Sequence, residues 1–452
     1  MLIFIENTPR AYAWGSRDAL PEFLGTSPTG EPQAELWLGA HPGAPATVAK
    51  AVPNARTLID LIESDPERYG VDGHHLPFLL KVLAIGAPLS LQVHPDKAQA
   101  EAGFAAEEAA GVPREAMERN YGDPNHKPEL LVALSEVSAL SGFRPLDAAC
   151  EDLSALADLA AEHADGPGAA ALAMVAEICR RAVRGDAGQD RAVGAREARE
   201  RVLRWALGGG SGPVAAARAI AAVVQLPMTA LEDRLDRHRV AVLRELTVAY
   251  PDDTGVVVSL LLHLVRLEPG RAIYLAARQP HAYLSGIAVE VMAASDNVLR
   301  AGFTEKHVDA EELLRIVDFA ELAEPRAAER RVAAGLVSWD PEVPDFRLMR
   351  ARLRDPGEGD PEGSERAESR HEDRAESVEI AAPYPLVLVA TAGRVRVERP
   401  DAEFGEVASV ARGQSLYVSA GAPIELSGCG EAFIATVSEA WVPRAPTPGN
   451  SV

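Results

Sequence analysis

Three cysteines in 452 residues leave little room for sulfur chemistry. Cys150, Cys179 and Cys429 are far apart, odd in number and form no C-x-x-C pair. Neither a disulfide framework nor a Cys-rich zinc site is expected, and a reducing, cytoplasmic setting is. Positive charge is also short: 45 Lys and Arg face 67 Asp and Glu, for a formal net charge of −22. That balance argues against nucleic acid and anionic membranes as partners. Long apolar runs are missing, since the longest, near Val256–Val265, is too short to cross a bilayer. The opening MLIFIENTPRAYAWGS sets Glu6 and Pro9 where a signal peptide needs a basic segment and then an apolar run, so no leader is expected. The glycine run at 208–212, GGGSG, lacks the Lys and Ser/Thr of a phosphate-binding loop and reads as a helix–helix connection.

With 47% hydrophobic residues the chain can bury cores for two or three domains. Strand-like segments divided by Gly and Pro fill the first hundred residues: Leu2–Glu6, Glu35–Leu38, Ala46–Val52, Phe78–Ile85 and Leu89–His94, with one short helix over Arg56–Glu67. This pattern predicts a sandwich or jelly roll rather than alternating βαβ units. Ala98–Arg119 is Ala/Glu-rich and reads as helix. Residues 146–249 turn to Ala, Leu, Arg and Glu at helical spacing, as in Leu153, Leu156, Leu159 and Ala160. They predict an all-α insertion of four or five helices. Strands are expected to return at Gly255–Leu267, Arg271–Leu275 and Ile287–Met292, with a helix over Val308–Phe319. In residues 355–377, nine acids, three arginines and no aliphatic larger than alanine predict a disordered segment. The strands of 384–442 predict a second, smaller jelly roll without histidine. The expected architecture is therefore mainly β with an α-helical insertion. It comprises a discontinuous jelly roll over 1–145 and 250–325, the helices of 146–249, and a second jelly roll over 335–446.

Four polar stretches beside apolar runs stand out. In SLQVHPDK (Ser90–Lys97), Gln92 and His94 sit two apart, so a strand points both to one face. NHKPEL (Asn125–Leu130) holds His126, Lys127 and Glu129, QPHAYLSG (Gln279–Gly286) holds His281, and SDNVLRAGFTEK (Ser295–Lys306) holds Asp296, Arg300 and Lys306. His263, by contrast, lies in an apolar strand and reads as a satisfied core residue. Lysine is scarce outside these motifs and Lys81, which suits a locally basic pocket in an acidic protein.

These stretches, in this order, resemble the signature segments of the type I mannose-6-phosphate (phosphomannose) isomerases, and AYAWGS (Ala11–Ser16) and AELWLGAHP (Ala34–Pro42) agree. The resemblance runs from residue 1 to about residue 320 and more weakly beyond. Glu305 stands where a proline is frequent in that family, and the acidic stretch lengthens the chain. The resemblance implies a cupin-like fold for the jelly rolls. It also implies one Zn²⁺ per chain, held by Gln92, His94, Glu129 and His281. Two imidazoles, a carboxylate and a carboxamide suit zinc, and would also admit Mn²⁺, Fe²⁺ or Co²⁺. The implied activity is exchange between mannose 6-phosphate and fructose 6-phosphate through a cis-enediolate, in a monomer acting on a small phosphosugar. Arg300 is expected to face the developing oxyanion, because a guanidinium stays protonated. Lys127, His126 and Glu290 are candidates for proton transfer, and Asp296 for ring opening. Ser90, Lys81 and Lys306 are candidates for the phosphate. Two other readings compete: a cupin-type metal oxygenase and a non-catalytic sugar-phosphate-binding protein.

Overall fold

The computed structural model describes residues 1–49, 56–71, 75–163, 166–185, 191–355, 374–402 and 405–441. Of the acidic stretch expected to be disordered over 355–377, residues 356–373 lie outside the described residues, whereas Ser377 opens the strand Ser377–Ala382. Within them, two ten-stranded sheets form, each mostly antiparallel, with helices gathered between residues 146 and 259.

The first sheet is organised by one long strand, His281–Ala293, which pairs with four others. Its first half lies between Leu91–Val93 and Val137–Phe143, and its second half between Phe78–Ile85 and Glu129–Ala133. The register slips between Tyr283 and Ser285, and Gly286 follows with φ +111°. A Cβ at Gly286 would stand 2.4 Å from the Glu136 carbonyl oxygen, so the bend needs a residue without a side chain. The bend turns the halves towards each other, and Leu83, Leu131, Val137, Ala139 and Tyr283 meet in a shared apolar cluster.

Each half buries its outer face differently, and each does so by the period of two. In the second half Phe78, Leu80, Val82, Leu130, Val132, Val289 and Val291 pack against Trp339, Leu348, Val387, Val389 and Phe433 of the other sheet. In the first half Leu91, Val93, Ala282, Leu284, Leu299 and Ala301 pack into the helical core with Leu153, Leu156, Leu159 and Ala160. The inward residues left over are Gln92, His281, Arg300, Glu129, Lys81 and Glu290. Helices and second sheet thus serve as backing for a curved wall whose polar residues point inwards.

Several expectations change. Leu2–Glu6 and Thr47–Val48, grouped by sequence with the first β unit, hydrogen-bond to each other, and Leu2–Glu6 pairs with Ser415–Val418 of the second sheet. Alternation marks a strand but not its partner. Gly255–Ser259, expected as strand, is a short helix, and the strand begins at Leu262. An apolar run without period does not distinguish the two. Here Asp253 Oδ1 accepts from the Gly255 N–H at 2.7 Å and starts the helix. The expected helices over 56–67, 98–119 and 308–319 are shorter: Leu58–Ser64 with Pro66–Tyr69, Lys97–Ala110, and Ala310–Ile316. Among the described residues of 146–249 the helices are six, one of a single turn, against the four or five expected. Among the described residues no single helix is long and apolar enough to cross a membrane.

Gly286→Ala tests the bend. The strained φ and the contact with Glu136 predict a loss of about 1–3 kcal/mol, read by denaturant or thermal unfolding. An unchanged midpoint would mean that the strand tolerates a side chain there.

Candidate metal centre

The inward row is set by register. His281 pairs with Gln92, and Gln92 pairs with Arg300, so three adjacent strands place an imidazole, a carboxamide and a guanidinium side by side on one face. His94 follows Gln92 by two residues at the strand end, and Asp96 then caps the helix Lys97–Ala110 in a capping box with Gln99. Glu129 opens its own strand opposite Met292. The QPHAYLSG segment is thus not turn throughout, because the strand begins at His281.

Ligand atoms of His94, Glu129 and His281 lie within 4.8 Å of one another, and all three residues are at most 2% exposed. His94 Nδ1–H donates to the Asn297 carbonyl at 2.7 Å, and His281 Nδ1–H to the Gln279 carbonyl at 2.9 Å. Each ring keeps its proton on Nδ1 and turns a bare Nε2 towards Glu129. These nitrogens stand 3.2 and 3.6 Å from the Glu129 oxygens, and His94 Nε2 is buried without a hydrogen-bond partner. Lone pairs facing a carboxylate at such distances repel unless a cation joins them. Gln92 brings its carboxamide within 3.3 Å of His281 Nε2, and half a turn of the amide presents its oxygen there. The donor set therefore fits a divalent cation of the zinc class.

The surrounding charges favour the deprotonated ligands. Burial and the nearby Lys127 charge push His94 down to about 4, which leaves it neutral. Burial alone would raise the Glu129 carboxyl, but the Lys127 ammonium leads the charges that outweigh it and hold it well below the usual range. Lys127 Nζ stands 3.0 Å from Glu129 Oε1.

A second buried cluster joins this one through Tyr283. Its hydroxyl lies 3.1 Å from Glu129 and 3.0 Å from Glu290. Burial and repulsion from Glu129, only partly offset by Lys81 and Lys127, push Glu290 up to about 7. Lys81 Nζ sits 3.2 Å from Glu290 and 4.0 Å from Glu35, over the Trp37 ring. Burial weakens the Lys81 ammonium, yet Glu35, Glu290 and Glu129 more than compensate and raise its pKa. Its charge is thus taken up by carboxylates, which disfavours the phosphate role expected from sequence.

Of the other expected residues, His126 Nε2 is 2.8 Å from Asp345 Oδ2, a residue from the approach to the second sheet. Asp296 is 61% exposed in its side chain and stands 3.5 Å from His41. Arg300 is half-buried, and burial lowers its pKa without compensation from a carboxylate. Lys306 is lowered by burial and by Arg300 itself, so two cations share one side of the site. Ser90 is half-buried just before the Gln92 strand. His263 Nε2–H donates to the Leu322 carbonyl at 2.7 Å, as a satisfied core histidine does. Nothing in the sequence marks Asp345 as functional, and Glu35 and His41 lie in the AELWLGAHP stretch without a role being read for either. Tyr283 lay two residues from His281, and the period of two would have found it.

The model of the "phosphomannose isomerase type I, catalytic domain" matches residues 2–146. Mannose-6-phosphate isomerase of Escherichia coli is 40% identical over 330 residues, 69% of this chain and 74% of that protein. The chain belongs to the type I phosphomannose isomerase family. The Schizosaccharomyces pombe mannose-6-phosphate isomerase is 29% identical over 94% of this chain and 96% of its own. A zinc-bound crystal structure of mannose 6-phosphate isomerase superposes with a TM-score of 0.76 at 31% identity, covering 97% of this chain and 99% of that one. The H99Q variant of the Salmonella typhimurium phosphomannose isomerase gives 0.77 at 30% identity over the same shares. None of these relatives supports the oxygenase or the non-catalytic reading.

Asn297 shows how the centre is braced. Its side chain, wholly buried, accepts from the Gly122 N–H at 2.8 Å and donates to the carbonyls of Asp123 and Asn125, each at 2.7 Å. Its own carbonyl holds His94. Asn297→Ala should weaken divalent-metal affinity by about 10–100-fold, read by competition with a chelating indicator. Unchanged affinity would detach this clamp from the centre.

Proposed function

We propose that this chain interconverts mannose 6-phosphate and fructose 6-phosphate at one zinc ion held by Gln92, His94, Glu129 and His281. The observation that carries the reading is the convergence of bare Nε2 atoms from His94 and His281 on the buried Glu129, beside Arg300, in a member of this family. Zinc bound there would supply positive charge for the sugar's hydroxyl and carbonyl oxygens as negative charge develops on them.

The protein's own residues then divide the remaining tasks. Arg300 lies in the ligand row with no carboxylate among the described residues to neutralise it, so its guanidinium can face an enediolate oxygen. Glu290, pushed up to about 7, has the proton affinity that transfer between C1 and C2 asks for at neutral pH. Tyr283 links it to Glu129, and Lys81 tunes it from the other side. Lys127 is the alternative proton carrier, placed against Glu129. His126, engaged by Asp345, fits a supporting role better. Asp296, open to solvent, is suited to ring opening. Lys306 and Ser90 are assigned to the phosphate, with Lys306 beside Arg300.

The same reading takes the two sheets as cupin-like jelly rolls and residues 146–249 as a helical unit backing the ligand strands. It places a monomeric enzyme in the cytoplasm, with neither nucleic acid nor membrane as partner.

A coupled assay on purified protein, with and without chelator, tests the function. Stripping the metal should abolish fructose 6-phosphate formation, and Zn²⁺ should restore it. Full turnover in protein shown to be metal-free would sink the proposal. Within it, Arg300→Ala should keep zinc and fold but lose about 10²–10³ in kcat, with a smaller change in KM. Arg300→Lys should recover only part, because a point charge replaces a planar fork. An unchanged kcat in the zinc-loaded variant ends the assignment of Arg300 to the enediolate.

A further inference from the structure

His41 is 6% exposed and lies in the loop after the strand Glu35–Leu38. Its ring is fixed on three sides. The Gly43 N–H donates to Nδ1 at 3.1 Å, and this fixes the neutral ring as the tautomer with its proton on Nε2. Trp37 packs edge-on at 5.0 Å between centroids, and Trp37 is itself anchored by its Nε1–H to Glu35 at 2.6 Å. Nε2–H is then left facing Asp296 Oδ1 at 3.5 Å, a gap that the exposed carboxylate can close by turning. Asp296 is held from behind, because its backbone N–H donates to Asp123 Oδ2 at 2.8 Å. One carboxylate oxygen therefore faces the imidazole, and the exposed side chain leaves the other open to solvent.

We propose that His41 is a positioning residue for Asp296, holding Oδ1 so that Oδ2 can carry the proton that opens the sugar ring. The proposal rests on the assignment of Asp296 to ring opening. In that step Oδ2 takes the proton of the C1 hydroxyl, C1=O forms as the C1–O5 bond breaks, and the same proton passes to O5. The carboxylate ends as it began, and His41 keeps its own proton throughout. A neutral Nε2–H donor suits this role, since it orients the carboxylate without quenching its basicity as a full ion pair would. The charges facing the ring keep it neutral: burial lowers its pKa, Lys81 and Lys127 lower it further, and Asp296 and Asp123 oppose them without prevailing. His41 thus stands within reach of both buried lysines of the site.

Ring opening can be read apart from isomerisation. The measurement is the enzyme-accelerated exchange between α and β mannose 6-phosphate, followed by two-dimensional NMR exchange, beside kcat for isomerisation. It is made on zinc-loaded protein, with metal content and melting recorded for each variant. His41→Phe keeps a ring but no donor, and should lower anomer exchange and kcat together by about 10–100-fold, with KM little changed. His41→Gln places an amide N–H near the position of Nε2 and should recover most of both. His41→Asn, whose amide falls short, should not, and this pair keeps the test intact should the Phe variant fail to fold. Anomer exchange at the wild-type rate in His41→Phe, or no difference between the Gln and Asn variants, overturns the proposal. Asp296→Asn separates the two layers. If it retains anomer exchange, the ring-opening assignment of Asp296 falls and takes the His41 role with it. If it loses exchange while His41→Phe does not, only the His41 role falls.

Discussion

A carboxylate that is 2% exposed stays ionised only where cations or donors replace its lost water. Glu129 meets that condition only in part, with the Lys127 ammonium and the Tyr283 hydroxyl, because the two imidazole nitrogens that face it are bare. The centre depends on this one buried charge. Two of its neighbours are acceptors, so the group is balanced only when a metal ion sits among them. The surroundings already hold His94 and Glu129 in the deprotonated forms a metal needs, which lowers the cost of binding.

Secondary structure supplies the precision. Three strands in register set His281, Gln92 and Arg300 in a line, and a glycine bend brings Glu290 and Tyr283 of the same long strand within hydrogen-bond distance of each other. The alternate residues on those strands are apolar and buried in the helical core or against the second sheet. Rigidity on the outer face and chemistry on the inner face are thus two readings of one alternating pattern. Among the described residues, the helices between 146 and 249 lend no side chain to the ligand cluster. Their contribution is to back the Gln92 and Arg300 strands.

Much of this was legible in the residues. Gln92 and His94 two apart in a strand, and the order of the four polar stretches, point to the centre by themselves. Most strands fell where alternation put them. What escaped was non-local. No pattern in Leu2–Glu6 says that it will pair with Ser415–Val418, four hundred residues on. Nothing in the apolar run after Gly255 says that its first turn will be helical. Lys81 looked like a free cation because the carboxylates that claim it, Glu35 and Glu290, come from two other strands. Asn297 holds His94 through its backbone carbonyl and through loop closure, which spacing alone does not reveal.

The account stands or falls on which atoms hold the metal. X-ray absorption at the zinc K-edge of the purified, active protein reads this directly. The structure predicts a shell of nitrogen and oxygen ligands only, at about 2.0–2.2 Å, with the multiple scattering of two imidazoles and no sulfur. A sulfur shell at about 2.3 Å would place the ion on cysteine, and a single imidazole would remove either His94 or His281 from the centre; either result would contradict the site described here.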